Sequence, residues 1–135
     1  MPSWDELHIG AEIPPREYGP LTRTDFVRYQ GASGDFNPIH HDDEFAQSAG
    51  YPAAFSVGML QAGILASFAT DYLGPRNVRK FGVQFREQVW AGDQLVCSGK
   101  VVGRDDAART VDLELVVMRV GGGAAIKGNA TFVVE

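Results

Sequence analysis

Cysteine is nearly absent: the chain of 135 residues carries one, Cys97, so no internal disulfide can form and a reducing compartment is expected. Basic charge is also short. Against 17 Asp and Glu stand 12 Lys and Arg, a formal net charge of −5, which argues against nucleic acid or an anionic membrane surface as the main partner, since surplus cation holds both. No apolar run reaches the roughly 20 residues that a bilayer span needs; the most apolar stretch, Val57 to Ala69, is shorter and carries Gln61. There is no internal repeat, low-complexity tract or interdomain linker, and no charged-apolar-small pattern opens the chain. One cytoplasmic domain over residues 1–135 is the expectation. Histidine is scarce too, with only His8, His40 and His41. A metal site on His40-His41-Asp42 would need His8 from the N-terminal arm, and adjacent histidines point in different directions, so no metal ligation is expected.

What the chain does have is Ser33-Gly34-Asp35-Phe36-Asn37-Pro38-Ile39-His40-His41-Asp42-Asp43. This stretch sets a carboxylate, a carboxamide and an imidazole within six residues, around a proline that fixes its own φ and pushes Asn37 toward extended geometry. Asp35, Asn37 and His40 are therefore displayed on a stiff loop, a good mount for acid–base groups. For an arbitrary loop the plainer alternative is an Asx turn beside a hydrogen-bonded histidine.

Around that loop the chain divides into a helical half and a strand half. Met1 to Pro20 reads as an irregular arm, with a short strand at Ile9 to Ile13 broken by Pro14-Pro15. Thr22 or Thr24 caps a helix that Gly31 and Gly34 end, and Asp42-Asp43-Glu44 opens a short second one. Ser56 to Leu73 predicts a long helix, capped by Ser56, stopped by Gly74-Pro75 and apolar on nearly every face, hence buried all round. After Pro75, the segments Lys80 to Val89, Gln94 to Val102, Thr110 to Val120 and Ala124 to Val134 alternate as strands. Turn signals at Ala91-Gly92-Asp93, Gly103 to Asp106 and Gly121-Gly122-Gly123 separate them. An α+β protein with an antiparallel sheet curled round one buried helix satisfies both halves. Cys97, in an apolar-polar alternation, reads as an inert core thiol.

Gly34-Asp35-Phe36-Asn37-Pro38-Ile39-His40, then Gly58-Met59-Leu60 opening an apolar helix, then Phe85 and Val89-Trp90-Ala91-Gly92-Asp93 closely resemble the MaoC-like, or hydratase 2, family of (R)-specific enoyl-CoA hydratases and dehydratases. The resemblance runs from about Leu21 to the C-terminus. It implies the hot-dog fold, a long helix wrapped by an antiparallel sheet. It also implies pairing through edge strands into a homodimer, with a heterodimeric dehydratase as the variant. On matching positions it assigns Asp35 and His40 as the catalytic pair, Asn37 as a loop-stabilising residue at the substrate site, and Gly58 as the residue whose backbone N–H meets the thioester carbonyl. Val57 stands where the family commonly has histidine, Ala66 where some members have serine, and Gln84 and Gln88 where Arg and Pro are frequent.

The implied reaction is reversible hydration of a trans-2-enoyl thioester, on coenzyme A or an acyl-carrier protein, to the (R)-3-hydroxyacyl thioester, with no metal or redox cofactor. It needs a base for water, an acid for Cα and donors for the enolate oxygen. Asp35 and His40 can serve as base and acid in either assignment, and the N-terminus of the apolar helix can supply the donors. Arg76, Arg79, Lys80 and Arg86 form the local basic surplus of an acidic chain, so Arg79 and Arg86 are candidates for a carrier's phosphates. Two other classes fit the same residues. One is a hot-dog thioesterase, in which a carboxylate attacks or activates water at the thioester carbon. The other is a non-catalytic acyl-thioester binding subunit, which the departures at Val57 and Ala66 allow.

Overall fold

A computed structural model describes residues 1–135. Strand β1 (Glu12–Tyr18) is followed by three helices, α1 (Arg23–Ser33), α2 (Asp43–Ser48) and α3 (Gly58–Leu73), and then by β2 (Val78–Phe85), β3 (Leu95–Asp105), β4 (Thr110–Arg119) and β5 (Ala124–Val133). The five strands form one antiparallel sheet in the order β1-β3-β4-β5-β2. This is the α+β arrangement expected of a hot-dog fold.

Period-two alternation places the sheet's apolar face inward. On β4, Val111, Leu113, Leu115 and Val117 are buried while Asp112 and Glu114 face solvent, as a half-buried strand requires. Leu65, Phe68, Ala69 and Leu73 of α3 join them, with Leu95, Ile126 and Phe132, in one continuous core. Full burial of each large side chain is worth about 1.5–3 kcal/mol, and this packing holds the helix in the sheet's concavity.

Several sequence expectations need correction. The prolines do not break the first strand: β1 runs through Pro14 and Pro15, with an irregular register between Ile13 and Arg16. It is an edge strand, where a missing N–H costs no ladder bond. The arm before it also carries a short 3₁₀ turn, Asp5–Leu7. Trp4 lies between two guanidinium groups, with Arg104 Cζ 3.9 Å and Arg109 Cζ 4.4 Å from its ring centre. Gly103 to Asp105 belong to β3, past an irregularity between Val101 and Gly103, and the turn falls at residues 106–109. Gly31 lies inside α1, and Gly34, at φ 78°, ends it.

The largest correction concerns α3. Its first helical residue is Gly58, its N-cap is Val57 without a side-chain cap bond, and Ser56 points elsewhere. Nor is the helix sheathed all round: Met59, Gly63, Ser67 and Asp71, four residues apart, form an exposed stripe. Past Met59 this stripe is small or polar, and it leaves one face of an otherwise apolar helix open.

Candidate active site

The loop after α1 is built by side chains that satisfy its backbone. A reciprocal capping box joins Thr22 and Asp25: Asp25 N–H donates to Thr22 Oγ1 at 3.2 Å and Thr22 N–H to Asp25 Oδ2 at 2.8 Å. From this fixed start, Phe26 and Gln30, four residues apart, turn to the buried face. Past Gly34, Asp35 Oδ1 accepts from Asn37 N–H at 3.2 Å, and Asn37 Oδ1 from Ile39 N–H at 3.1 Å. Pro38 then starts a single 3₁₀ turn ending at His40. Asn37, expected as a loop-stabilising residue, uses its side-chain oxygen to close this turn.

Gln30 clamps the whole loop. Only 2% exposed, it donates from Nε2 to the carbonyls of Asp35, at 2.8 Å, and Asn37, at 3.0 Å. Its Oε1 accepts from His41 Nδ1–H at 2.9 Å. All three bonds converge on the segment that carries the acid and the imidazole.

Asp35 and His40 face each other, with Asp35 Oδ2 4.0 Å from His40 Nε2. That is too far for a direct hydrogen bond. A water about 2.8 Å from each atom would bridge them at an angle of roughly 90°. The His40 side chain is 11% exposed and that of Asp35 48%, so the imidazole is held inside while the carboxylate meets solvent. His40 Nδ1 lies 2.8 Å from the carbonyl oxygen of Phe55. A carbonyl can only accept, so Nδ1 carries the proton, and in the neutral ring Nε2 presents its lone pair toward Asp35.

Phe55 is tied down on several sides. Its ring meets that of His40 edge-on at 5.3 Å and that of Trp90 at 5.7 Å. Its N–H donates to Ile39 O at 3.3 Å, and Ser56 N–H to Val89 O at 2.8 Å. Next to it, Asp43 Oδ1 accepts from Ala54 N–H and from Arg23 Nη2, each at 2.9 Å, and these bonds hold the Asp43 carboxyl below its ordinary value, the backbone N–H contributing most. On the far side, Arg119 reaches Asp93 at 2.9 Å and Glu87 at 3.0 Å. Those bonds, the one to Asp93 most of all, push its guanidinium above its ordinary value and fix the connection from Arg86 to Asp93 that carries Trp90.

Phe55 also walls a second recess. A pocket of about 190 Å³ lies at the start of α3, lined by Phe55, Ser56, Gly58, Gln61, Phe85, Arg86, Glu87 and Gln88. The uncapped N-terminus of α3 opens here, so its leading N–H groups lack side-chain partners. The Phe85 ring packs on Gly58, where a Cβ would stand 2.9 Å from Phe85 Cε1. Phe55 touches both places: its ring meets that of His40, and it lines the recess together with Gly58 and Arg86. A wider cleft of about 600 Å³ between α1 and α3 contains none of these groups.

Arg79 and Arg86, the two candidates for a carrier's phosphates, do not share this pocket. The two flank opposite ends of an extended strand, about 23 Å apart at roughly 3.3 Å per residue. Arg79 turns its guanidinium onto the carbonyls of Arg76 and Val78, so only Arg86 lines the pocket. Sequence reasoning missed Gln30, whose only signal was its spacing from Phe26. It also missed Phe55, which acts through a backbone carbonyl that leaves no mark on side-chain pattern.

A five-stranded antiparallel sheet wrapped on one long helix defines a hot-dog protein. The model of the MaoC-like domain matches residues 6–120. The chain belongs to the MaoC-like family. It is 27% identical over 134 residues to an (R)-specific enoyl-CoA hydratase of Rhodospirillum rubrum, covering 95% of this chain and 92% of that one. It is 30% identical over 101 residues to the peroxisomal hydratase-dehydrogenase-epimerase of Saccharomyces cerevisiae, where the match takes in 75% of this chain but only 11% of the much longer relative. A solved structure named MaoC-like dehydratase superposes with a TM-score of 0.92 at 29% identity, over 99% of this chain and 42% of that one.

Proposed function

We propose that the protein is a hydro-lyase that adds water reversibly to a trans-2-enoyl thioester and forms the (R)-3-hydroxyacyl thioester. The observation that carries this reading is the 4.0 Å gap between Asp35 Oδ2 and His40 Nε2, with Nδ1 anchored on Phe55. The bridging water gives one hydrogen to each group. As its oxygen bonds to Cβ, Nε2 takes the proton, Asp35 keeps hold of the remaining O–H, and the electron pair of the Cα=Cβ bond moves onto the thioester oxygen. The imidazolium then returns its proton to Cα on the same face, so the elements of water add syn. Proton transfer by a positioned group is typically worth about 10²–10⁴-fold.

The thioester oxygen belongs at the start of α3, where the Gly58 N–H and the helix dipole oppose its developing charge. Glycine lets an oxygen approach closely there once the Phe85 ring moves aside. Arg86 stands at that pocket's rim as the nearest cation for a carrier's phosphate, whether coenzyme A or an acyl-carrier protein. Two copies would pair along β2, an edge of the sheet on which Phe81 and Phe85 are exposed.

Crotonyl-CoA supplies the test. Purified protein should lower the enoyl absorbance to a steady equilibrium value with no release of free thiol, and should give the (R) product. Thiol release from a saturated acyl-CoA would identify a thioesterase instead, and tight binding with unchanged absorbance a non-catalytic subunit.

A further inference from the structure

Gln61 is a polar residue in an apolar place. It lies in the first turn of α3 and is 2% exposed, as is Ser56, its neighbour across the helix start. The Ser56 hydroxyl donates to Gln61 Oε1, which fixes the amide's orientation and leaves Nε2 on the opposite side. Nε2 donates to no protein acceptor, yet the only completely buried polar side-chain atom without a partner is the Tyr18 hydroxyl. The Gln61 amide nitrogen therefore reaches the surface of the pocket it lines together with Gly58, Phe85 and Arg86. Burying a carboxamide with an unused donor is unfavourable unless something in the pocket accepts from it.

Helix geometry sets the direction of that donor. Residues three apart share a face, and helical side chains lean toward the N-terminus, so Gln61 reaches back over Gly58, which has no side chain to obstruct it. A backbone N–H at the helix start and a side-chain N–H from the next turn thus converge on one recess. We propose that Gln61 is a second donor to the thioester oxygen, making a two-donor site with the Gly58 N–H that holds the enolate formed during hydration, with Ser56 as the residue that positions it. This rests on the hydration reading above and extends it to a residue whose only sequence signal was its interruption of an apolar run.

The test uses Gln61→Met and Gln61→Glu, which keep side-chain length and remove the donor, beside Ser56→Ala. Loss of one oxyanion donor typically lowers kcat by about 10²–10³-fold. That loss is expected in Gln61→Met with little change in KM, a greater loss in Gln61→Glu, where a carboxylate would face the enolate, and an intermediate one in Ser56→Ala. A structural role would not move the second readout: the absorbance maximum of a bound dienoyl-CoA in the Asp35→Asn background, where chemistry is blocked. Polarisation of the carbonyl shifts that maximum to the red, and Gln61→Met should cut the shift substantially. If Gln61→Met melts early, Ser56→Ala and the spectral shift still decide. A folded Gln61→Met with kcat within threefold of the parent and an undiminished shift would overturn the proposal while leaving the hydratase reading intact. Failure of the parent protein to hydrate crotonyl-CoA would remove both.

Discussion

Replacing Gln30 with leucine should uncouple the acid–base loop without touching either acid–base group. The substitution removes two bonds from Nε2, at 2.8 Å to Asp35 O and 3.0 Å to Asn37 O, and the acceptor for His41. At about 0.5–1.5 kcal/mol net for each neutral hydrogen bond, the two carbonyl bonds are worth about 1–3 kcal/mol. For a chain of this length, that corresponds to a fall in Tm of roughly 3–12 °C. The catalytic effect should be larger than the thermal one suggests. Asp35 and His40 must hold one water within a few tenths of an ångström, and a misplacement near 1 Å can cost about 10²-fold. We therefore expect kcat for crotonyl-CoA to fall about 10–100-fold, with KM nearly unchanged, because the thioester end of the site is built on α3 and not on this loop. Gln30→Glu keeps the size but loses the donors and should be worse at neutral pH, where its carboxylate faces two carbonyl oxygens. Parallel melting curves and absorbance kinetics make the comparison. A Gln30→Leu protein with the parent's kcat would refute the claim that this clamp sets the pair's geometry.

Other outcomes follow from single sites. Burial pushes the Cys97 thiol up to about 12, so it is neutral at pH 7 and should resist Ellman's reagent in the native protein but react promptly once unfolded. The Asp43 carboxyl lies below its ordinary value of 3.8 because it accepts from Ala54 N–H and Arg23. Its contribution to stability is therefore present above that ordinary value and lost as pH falls through the lowered one. Between about pH 5 and about pH 3, Tm should drop more steeply in the parent than in Asp43→Asn. Gly58→Ala would bring a Cβ to 2.9 Å from Phe85 Cε1, the edge of an exposed ring that can swing away. It should fold normally but raise KM for crotonyl-CoA, and an unchanged KM would show that no ligand oxygen approaches there.

Legibility in the sequence followed locality. The strands β3 to β5 were readable because their inward residues alternate, as Val111, Leu113, Leu115 and Val117 do, and this rule needs no distant information. β1 was less legible, because Pro14-Pro15 is locally a strand-breaking signal and only the strand's place at the sheet edge decides that the prolines are tolerated. The facing of Asp35 and His40 was legible because both lie on one short rigid loop. Their supports were not. Phe55 contributes a carbonyl 15 residues away from His40, and Arg119 reaches back 26 residues to Asp93, so neither contact has a local signature.

The most direct measurement is the crotonyl-CoA hydration rate of Asp35→Asn, His40→Gln and the double variant, each checked for an unchanged melting curve. Asparagine retains the Oδ1 acceptor that closes the turn, so the fold should persist. Each single change should cut kcat by about 10²–10⁴-fold, and the double should be little worse than the poorer single, because two groups holding one water act as a unit. Folded single variants that keep more than a tenth of the parent's turnover would contradict the assignment of the reaction to this pair.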